Sequence, residues 1–186
     1  MKLNELIWHL MKYRAVVVSG CQRSGTHIMA KIIGAELGWR YLTDNDYDVD
    51  NFNGWAKAVL GGHHIAIQCP HMTHILHLVP PDVAVVYMLR PASEITESFM
   101  RVNPGTVQAS QAYQMLFYST MPGVDGDQDD IKWIRVRDMY WQGYQSVVLN
   151  GRGFSFQYHD LEEHPMFYKK HQRKGWTMNQ TEPKGE

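Results

Sequence analysis

Arg23, Ser24, Gly25, Thr26 and His27 are the residues of this 186-residue chain whose types and spacing could do chemistry. They follow Val16-Val17-Val18-Ser19-Gly20-Cys21-Gln22, so an apolar run of strand type feeds a glycine-flanked turn that opens onto a helical pattern. Backbone N–H groups in such a turn and in the first turn of the helix converge on one spot, where the helix dipole also favours negative charge. A phosphate-like anion is the expected guest. Gly20-x4-Gly25 fits the phosphate-loop template G-x-x-x-x-G-K-[ST], but Thr26 stands at the lysine position and His27 at the hydroxyl that would ligate magnesium. A nucleoside triphosphatase with this loop lacks both its γ-phosphate clamp and a metal ligand. The positive charge of the turn is Arg23 instead. The plainer alternative is a glycine turn ahead of an ordinary helix.

A second group of candidates lies where the continuous apolar run Val83 to Leu89 ends at Arg90-Pro91. Pro91 suits the first position of a helix reaching about Arg101, and Ser98 falls eight residues after Arg90. No apolar run ends in an aspartate, so the acidic magnesium ligand of a nucleotide hydrolase is missing as well. His71 follows a third strand that ends at Pro70, at the carboxyl edge where open α/β sheets bind ligands. An imidazole accepts a proton at neutral pH, which makes His71 the first candidate for a general base and His74, one turn on, the second. Near the end, Arg173, Lys174 and Gly175 close a basic cluster that is either a solvated charge run or an anion-binding loop.

The elements that must position these residues follow from the apolar patterning. Leu3, Leu6, Ile7, Leu10 and Met11 make the stripe of an amphipathic helix within residues 1–13, without the uninterrupted apolar core of a signal peptide. Ala15 to Ser19 reads as a strand buried on both faces, and the helix after the turn carries Met29, Ile32, Ile33 and Leu37 on one side before Gly38 ends it. Strand, turn and helix make the first half of a βαβ unit. Further strands are expected at about Trp39 to Leu42, from His63 to Pro70, over Val83 to Leu89 and over Phe154 to Tyr158, with a short helix over His71 to His77 broken by Pro80-Pro81. Helices are expected over about 107–120 and from Asp129 or Asp130 to about Leu149, the second burying Trp133, Val136, Tyr140, Tyr144 and Val147. The alternating aspartates from Asp44 to Asp50 do not make a calcium loop, because Val49 and Trp55 stand where such a loop needs Gly and Glu. They read as a solvated acidic connection or an acceptor-facing loop.

Four strings resemble one family. Arg23-Ser24-Gly25-Thr26 is similar to the 5′-phosphosulfate loop of sulfotransferases that use 3′-phosphoadenosine-5′-phosphosulfate (PAPS). Arg90, Pro91 and Ser98 resemble that family's 3′-phosphate signature, without the residue usual between Arg and Pro, and Arg173-Lys174-Gly175 matches its late basic segment in the expected chain order. Tyr158-His159-Asp160-Leu161 looks like the Tyr-Glu-Asp-Leu after its last core strand, a chiefly structural string. The resemblance implies an α/β protein with a three-layer P-loop type fold, a central parallel sheet of about five strands flanked by helices. It implies PAPS as donor, no metal, and transfer of a sulfuryl group to a hydroxyl or amine of a small-molecule or glycan acceptor. Gln22, Arg23, Ser24, Gly25, Thr26 and His27 would then bind the 5′-phosphosulfate, Arg90 and Ser98 the 3′-phosphate, and Arg173, Lys174 and Gly175 would fold over it. The family's Lys-Thr-His string is replaced here by Gln68-Cys69-Pro70, with His71 one place later. An atypical P-loop kinase or phosphotransferase, and a catalytically silent relative that only binds the nucleotide, are the alternatives.

Composition bounds the same reading. The length suits a single domain over residues 1–186, whose basic tail from residue 166 would close over the nucleotide. A net charge of −1 argues against a broad nucleic-acid surface, so any anion site is local. No run approaches the roughly 18 apolar residues of a membrane span, a cytoplasmic location is the default expectation, and the oligomeric state is left open. Cys21 and Cys69 are too few for a disulfide framework.

Overall fold

The structure, a computed structural model, describes residues 1–43, 46–47, 52–70, 73–91, 94–95, 97–98, 101, 145 and 153–167. In chain order these form α1 (Leu3–Leu10), β1 (Ala15–Gly20), α2 (Thr26–Leu37), β2 (Arg40–Leu42), α3 (Phe52–Gly61), β3 (Ile65–Gln68), a 3₁₀ helix (Thr73–Leu78), β4 (Val83–Leu89), β5 (Gly153–Gln157) and a second 3₁₀ helix (Tyr158–Leu161). The strands build one all-parallel sheet in the order β2-β3-β1-β4-β5. β1 is the middle strand, flanked by β3 through pairs such as Val18 with Gln68 and by β4 through pairs such as Gly20 with Met88.

The apolar runs of β1 and β4 are continuous because both faces of the sheet are covered. Alternate side chains point to opposite faces. Val16, Val18, Ala84, Val86 and Met88 pack with Leu6 and Leu10 of α1, with Met29, Ile32 and Ile33 of α2, and with Phe156 and Leu161. Ala15, Val17, Val83, Val85 and Tyr87 pack on the other side with Trp55 and Val59 of α3 and with Leu76 and Val79. Each fully buried valine here contributes on the order of 1.5–3 kcal/mol, so the two strands that carry the loop and Arg90 are anchored in the core. Gly38 ends α2 at φ +65°, its N–H reaching back to the carbonyls of Ala35 and Gly34. Among the described residues no helix is long and apolar enough to cross a membrane.

Several boundaries differ from the sequence expectations. Helix α3 was not expected, since Gly54 inside it and the asparagines around it mask the Trp55-to-Val59 repeat. Met11 lies past the end of α1 and is exposed, outside the apolar stripe. The segment after Pro70 forms a 3₁₀ helix kinked at Ile75. β5 stops at Gln157, so Tyr158 opens a 3₁₀ turn and leaves the sheet. The helices expected over 107–120 and toward Leu149 lie outside the described residues except Gln145, which is helical.

Candidate functional site

Gly20 closes β1 at φ +131°, and a Cβ there would stand 2.7 Å from the Met88 carbonyl oxygen of β4. The missing side chain lets the chain turn away directly against its neighbouring strand. Within the turn the Ser24 N–H donates to the Cys21 carbonyl at 3.1 Å, and Arg23 adopts φ +68°. A left-handed backbone costs a non-glycine residue about 1–2 kcal/mol. Two contacts hold Arg23 in place: its Nε donates to Ser98 Oγ at 3.2 Å, and its carbonyl accepts Arg90 Nη1 at 2.9 Å. Gly25, at φ +100°, then caps α2 with no side-chain bond to the first-turn N–H groups. Those donors and the positive end of the helix dipole are left directed at the loop.

Arg90 is fixed from three directions. Its Nε pairs with Glu94 Oε2 at 3.0 Å, its Nη1 holds the Arg23 carbonyl, and its guanidinium carbon lies 3.9 Å above the centre of the Tyr158 ring. The same ring covers Gly25, where a Cβ would come within 2.5 Å of Tyr158 Cδ2, and meets Phe167 edge-on at 5.2 Å. One aromatic side chain therefore sets the spacing between the loop and Arg90. Pro91 starts the next helical turn, its carbonyl accepting the Ile95 N–H at 3.1 Å, and this turn carries Glu94 and Ser98 back toward the loop. Behind Arg90, His159 bonds Glu94 through Nε2 and Glu162 through Nδ1, both at 2.7 Å. The carboxylates of Glu162 and Glu94 raise the pKa of His159. Partial burial pushes the Glu94 carboxyl up, but the bonds from Arg90 and His159 outweigh it and leave its pKa below the ordinary value.

Among the described residues, the opposite side of the loop, facing β3, carries His27, Gln68 and Tyr41. His27, exposed on the first turn of α2, meets Gln68 Oε1 through Nδ1 at 3.0 Å and Tyr41 edge-on at 6.1 Å. The Tyr47 hydroxyl donates to the Gln68 carbonyl. Ser19 Oγ reaches the Cys69 carbonyl and Thr73 Oγ1, each at 2.8 Å, and Thr73 Oγ1 reaches the Pro70 carbonyl. This buried hydroxyl pair ties the turn after β3 to β1. Cys21 and Cys69 are both buried and free, and burial pushes the Cys21 thiol far above its ordinary range, which makes it inert as a nucleophile.

The candidates from sequence thus fall into three sets. Arg23, Arg90 and Ser98 meet at the carboxyl ends of β1 and β4, and Gln22, Gly25, Thr26 and His27 surround the start of α2. The Ser24 N–H is used inside the turn, and its hydroxyl is buried beside Gly20 with no partner among the described residues. His71, Arg173, Lys174 and Gly175 lie outside the described residues, as does the side chain of His74. Sequence reasoning missed Tyr158 as the shared platform and Glu94 and Gln68 as partners. Only the Arg90-to-Glu94 spacing of one helical turn could have announced any of these. No protein-family model matches the chain, and no curated protein matches it.

Proposed function

We propose that this chain is a PAPS-dependent sulfotransferase of the three-layer P-loop type, acting in the cytoplasm on a hydroxyl or amine of a small-molecule or glycan acceptor. The observation that supports the reading is the contact between Arg23, Ser98 and Arg90 at adjacent strand ends, beside an uncapped helix start. PAPS carries two anionic groups on one nucleotide, and these residues offer two adjoining places for anions. The residues fit the group chemically: backbone donors at Gly25, Thr26 and His27 suit the 5′-phosphosulfate, while Arg90 and Ser98 suit the 3′-phosphate. Arg173, Lys174 and Gly175 would add to the second place, on the family resemblance alone.

In the reaction an acceptor oxygen or nitrogen bonds to sulfur as the bond from sulfur to the 5′-phosphate oxygen breaks. Adenosine 3′,5′-bisphosphate leaves. Arg23 neutralises the charge that grows on the leaving oxygen, and its pinned backbone means that little reorganisation is needed. A sulfuryl group carries less charge than a terminal phosphoryl group, so arginine and backbone donors suffice without a metal. His71 and His74 are the bases expected from sequence; His71 and the side chain of His74 lie outside the described residues.

Thermal unfolding tests this. PAPS at a hundredfold excess over its Kd should stabilise the protein by about 2.7 kcal/mol, or roughly 5–10 °C for a chain of this size. Arg23→Ala should abolish that gain. Unchanged melting with PAPS, or a larger shift with magnesium and ATP, would overturn the reading in favour of a phosphotransferase.

A further inference from the structure

We infer that His27 is the general base for the acceptor, held in its basic tautomer by Gln68; the inference rests on the sulfotransferase reading above. The loop has two unlike sides. On the β4 side stand Arg23, Arg90 and Ser98, the places for the nucleotide's anions. An in-line displacement needs the attacking atom opposite the leaving oxygen, and the side away from those charges is the β3 side. The described side chain that is both titratable and exposed there, directly on the loop, is His27.

Its partner decides its chemistry. With the Gln68 amide oriented so that Oε1 meets Nδ1 at 3.0 Å, Oε1 accepts and the Nδ1 of His27 is the donor. The neutral ring then presents the lone pair of Nε2. Gln68 is itself fixed: it ends β3, an interior strand between β2 and β1, it is buried, and its carbonyl is held by the Tyr47 hydroxyl. Tyr41 meets the imidazole edge-on from β2, so the ring plane is set from two elements. The arrangement is the orienting pair of a base, with a neutral amide where a carboxylate often stands. Among the described residues, the carboxylate that pairs next to the loop, Glu94, lies on the far side, bound to Arg90 and His159.

The step balances without a co-reactant. As the acceptor O–H or N–H attacks sulfur, its proton passes to Nε2, and the electron pair of the broken bond leaves on the 5′-phosphate oxygen. The imidazolium returns its proton to water after release.

Three measurements on the whole protein test this. A nitrogen-detected NMR correlation of the imidazoles should show His27 protonated at Nδ1 and bare at Nε2, and Gln68→Leu should lose that preference. His27→Ala and His27→Gln keep the backbone N–H groups, so both should bind adenosine 3′,5′-bisphosphate within about twofold of wild type. Release of that bisphosphate from PAPS with a panel of phenols and amines should fall by about 10²–10⁴-fold in both variants. Added imidazole should restore part of the turnover of His27→Ala. A proton on Nε2, or variant turnover within threefold of wild type, overturns the inference. Loss of bisphosphate binding by the wild-type protein would instead overturn the sulfotransferase reading.

Discussion

Replacing Gly25 by alanine probes the contact that joins the loop to Arg90, and Gly38→Ala provides its control. At Gly38, φ is +65° and nothing lies within 4 Å of the position a Cβ would take, so only the left-handed backbone is penalised, by about 1 kcal/mol. At Gly25, φ is +100° and the new Cβ would stand 2.5 and 2.8 Å from two carbons of the Tyr158 ring. That ring is buried between Arg90 and Phe167 and cannot turn aside without leaving the guanidinium. Overpacking of this kind costs about 2 kcal/mol beyond the backbone strain, which brings the expected loss at Gly25 to about 3 kcal/mol. With a urea dependence of about 2 kcal/mol per molar, the unfolding midpoint should fall by roughly 1.5 M for Gly25→Ala and roughly 0.5 M for Gly38→Ala. Nucleotide affinity should fall only in the first. Equal midpoints for the two variants would refute the claim that Tyr158 packs on the loop.

Other outcomes follow from the charges. Arg14 precedes β1 at the other end of the sheet, where it pairs with Asp82 at 2.7 Å and donates to the carbonyls of Val59 and Gly62. Arg14→Ala should therefore cost about 2 kcal/mol of stability and leave the Kd for adenosine 3′,5′-bisphosphate unchanged; altered affinity would contradict the separation of the two ends. His159 has a raised folded pKa, so its stabilisation is complete below its ordinary 6.5 and fades as pH rises through the folded value. Glu94 has a lowered one, so its contribution holds above its ordinary 4.5 and fades as pH falls through the folded value. The joint effect is greatest between those two pH values. At 47% and 30% exposure it amounts to less than about 1 kcal/mol. The difference in urea midpoint between wild type and His159→Ala should shrink toward alkaline pH; a constant difference contradicts the pairing.

What was legible in sequence was what local rules govern. Val16-Val17-Val18 and Val83 to Leu89 announced strands covered on both faces, and Gly25 and Gly38 announced the ends of α2, because burial and left-handed backbone leave a direct mark on residue type. The parallel sheet followed from them. Helix α3 did not, since its core residues Trp55 and Val59 follow Asn53-Gly54 and precede Gly61-Gly62, residue types that disfavour a helix. Within the site the residue types of Arg23, Arg90 and Ser98 were readable, but the contacts that orient them were not. Arg90 meets Tyr158 across 68 positions of chain, and His27 meets Gln68 across 41. Such pairs depend on the strand order β2-β3-β1-β4-β5, which spacing along the chain does not encode. The bond from the Ser24 N–H is local instead, to the Cys21 carbonyl three residues back within the turn.

The most direct measurement is a crystal structure of the protein with adenosine 3′,5′-bisphosphate. The 5′-phosphate should lie on the N–H groups of Gly25, Thr26 and His27 beside Arg23, with the 3′-phosphate of the same molecule on Arg90 and Ser98. A nucleotide bound elsewhere, or one whose 3′-phosphate points away from Arg90 into solvent, would contradict this placement.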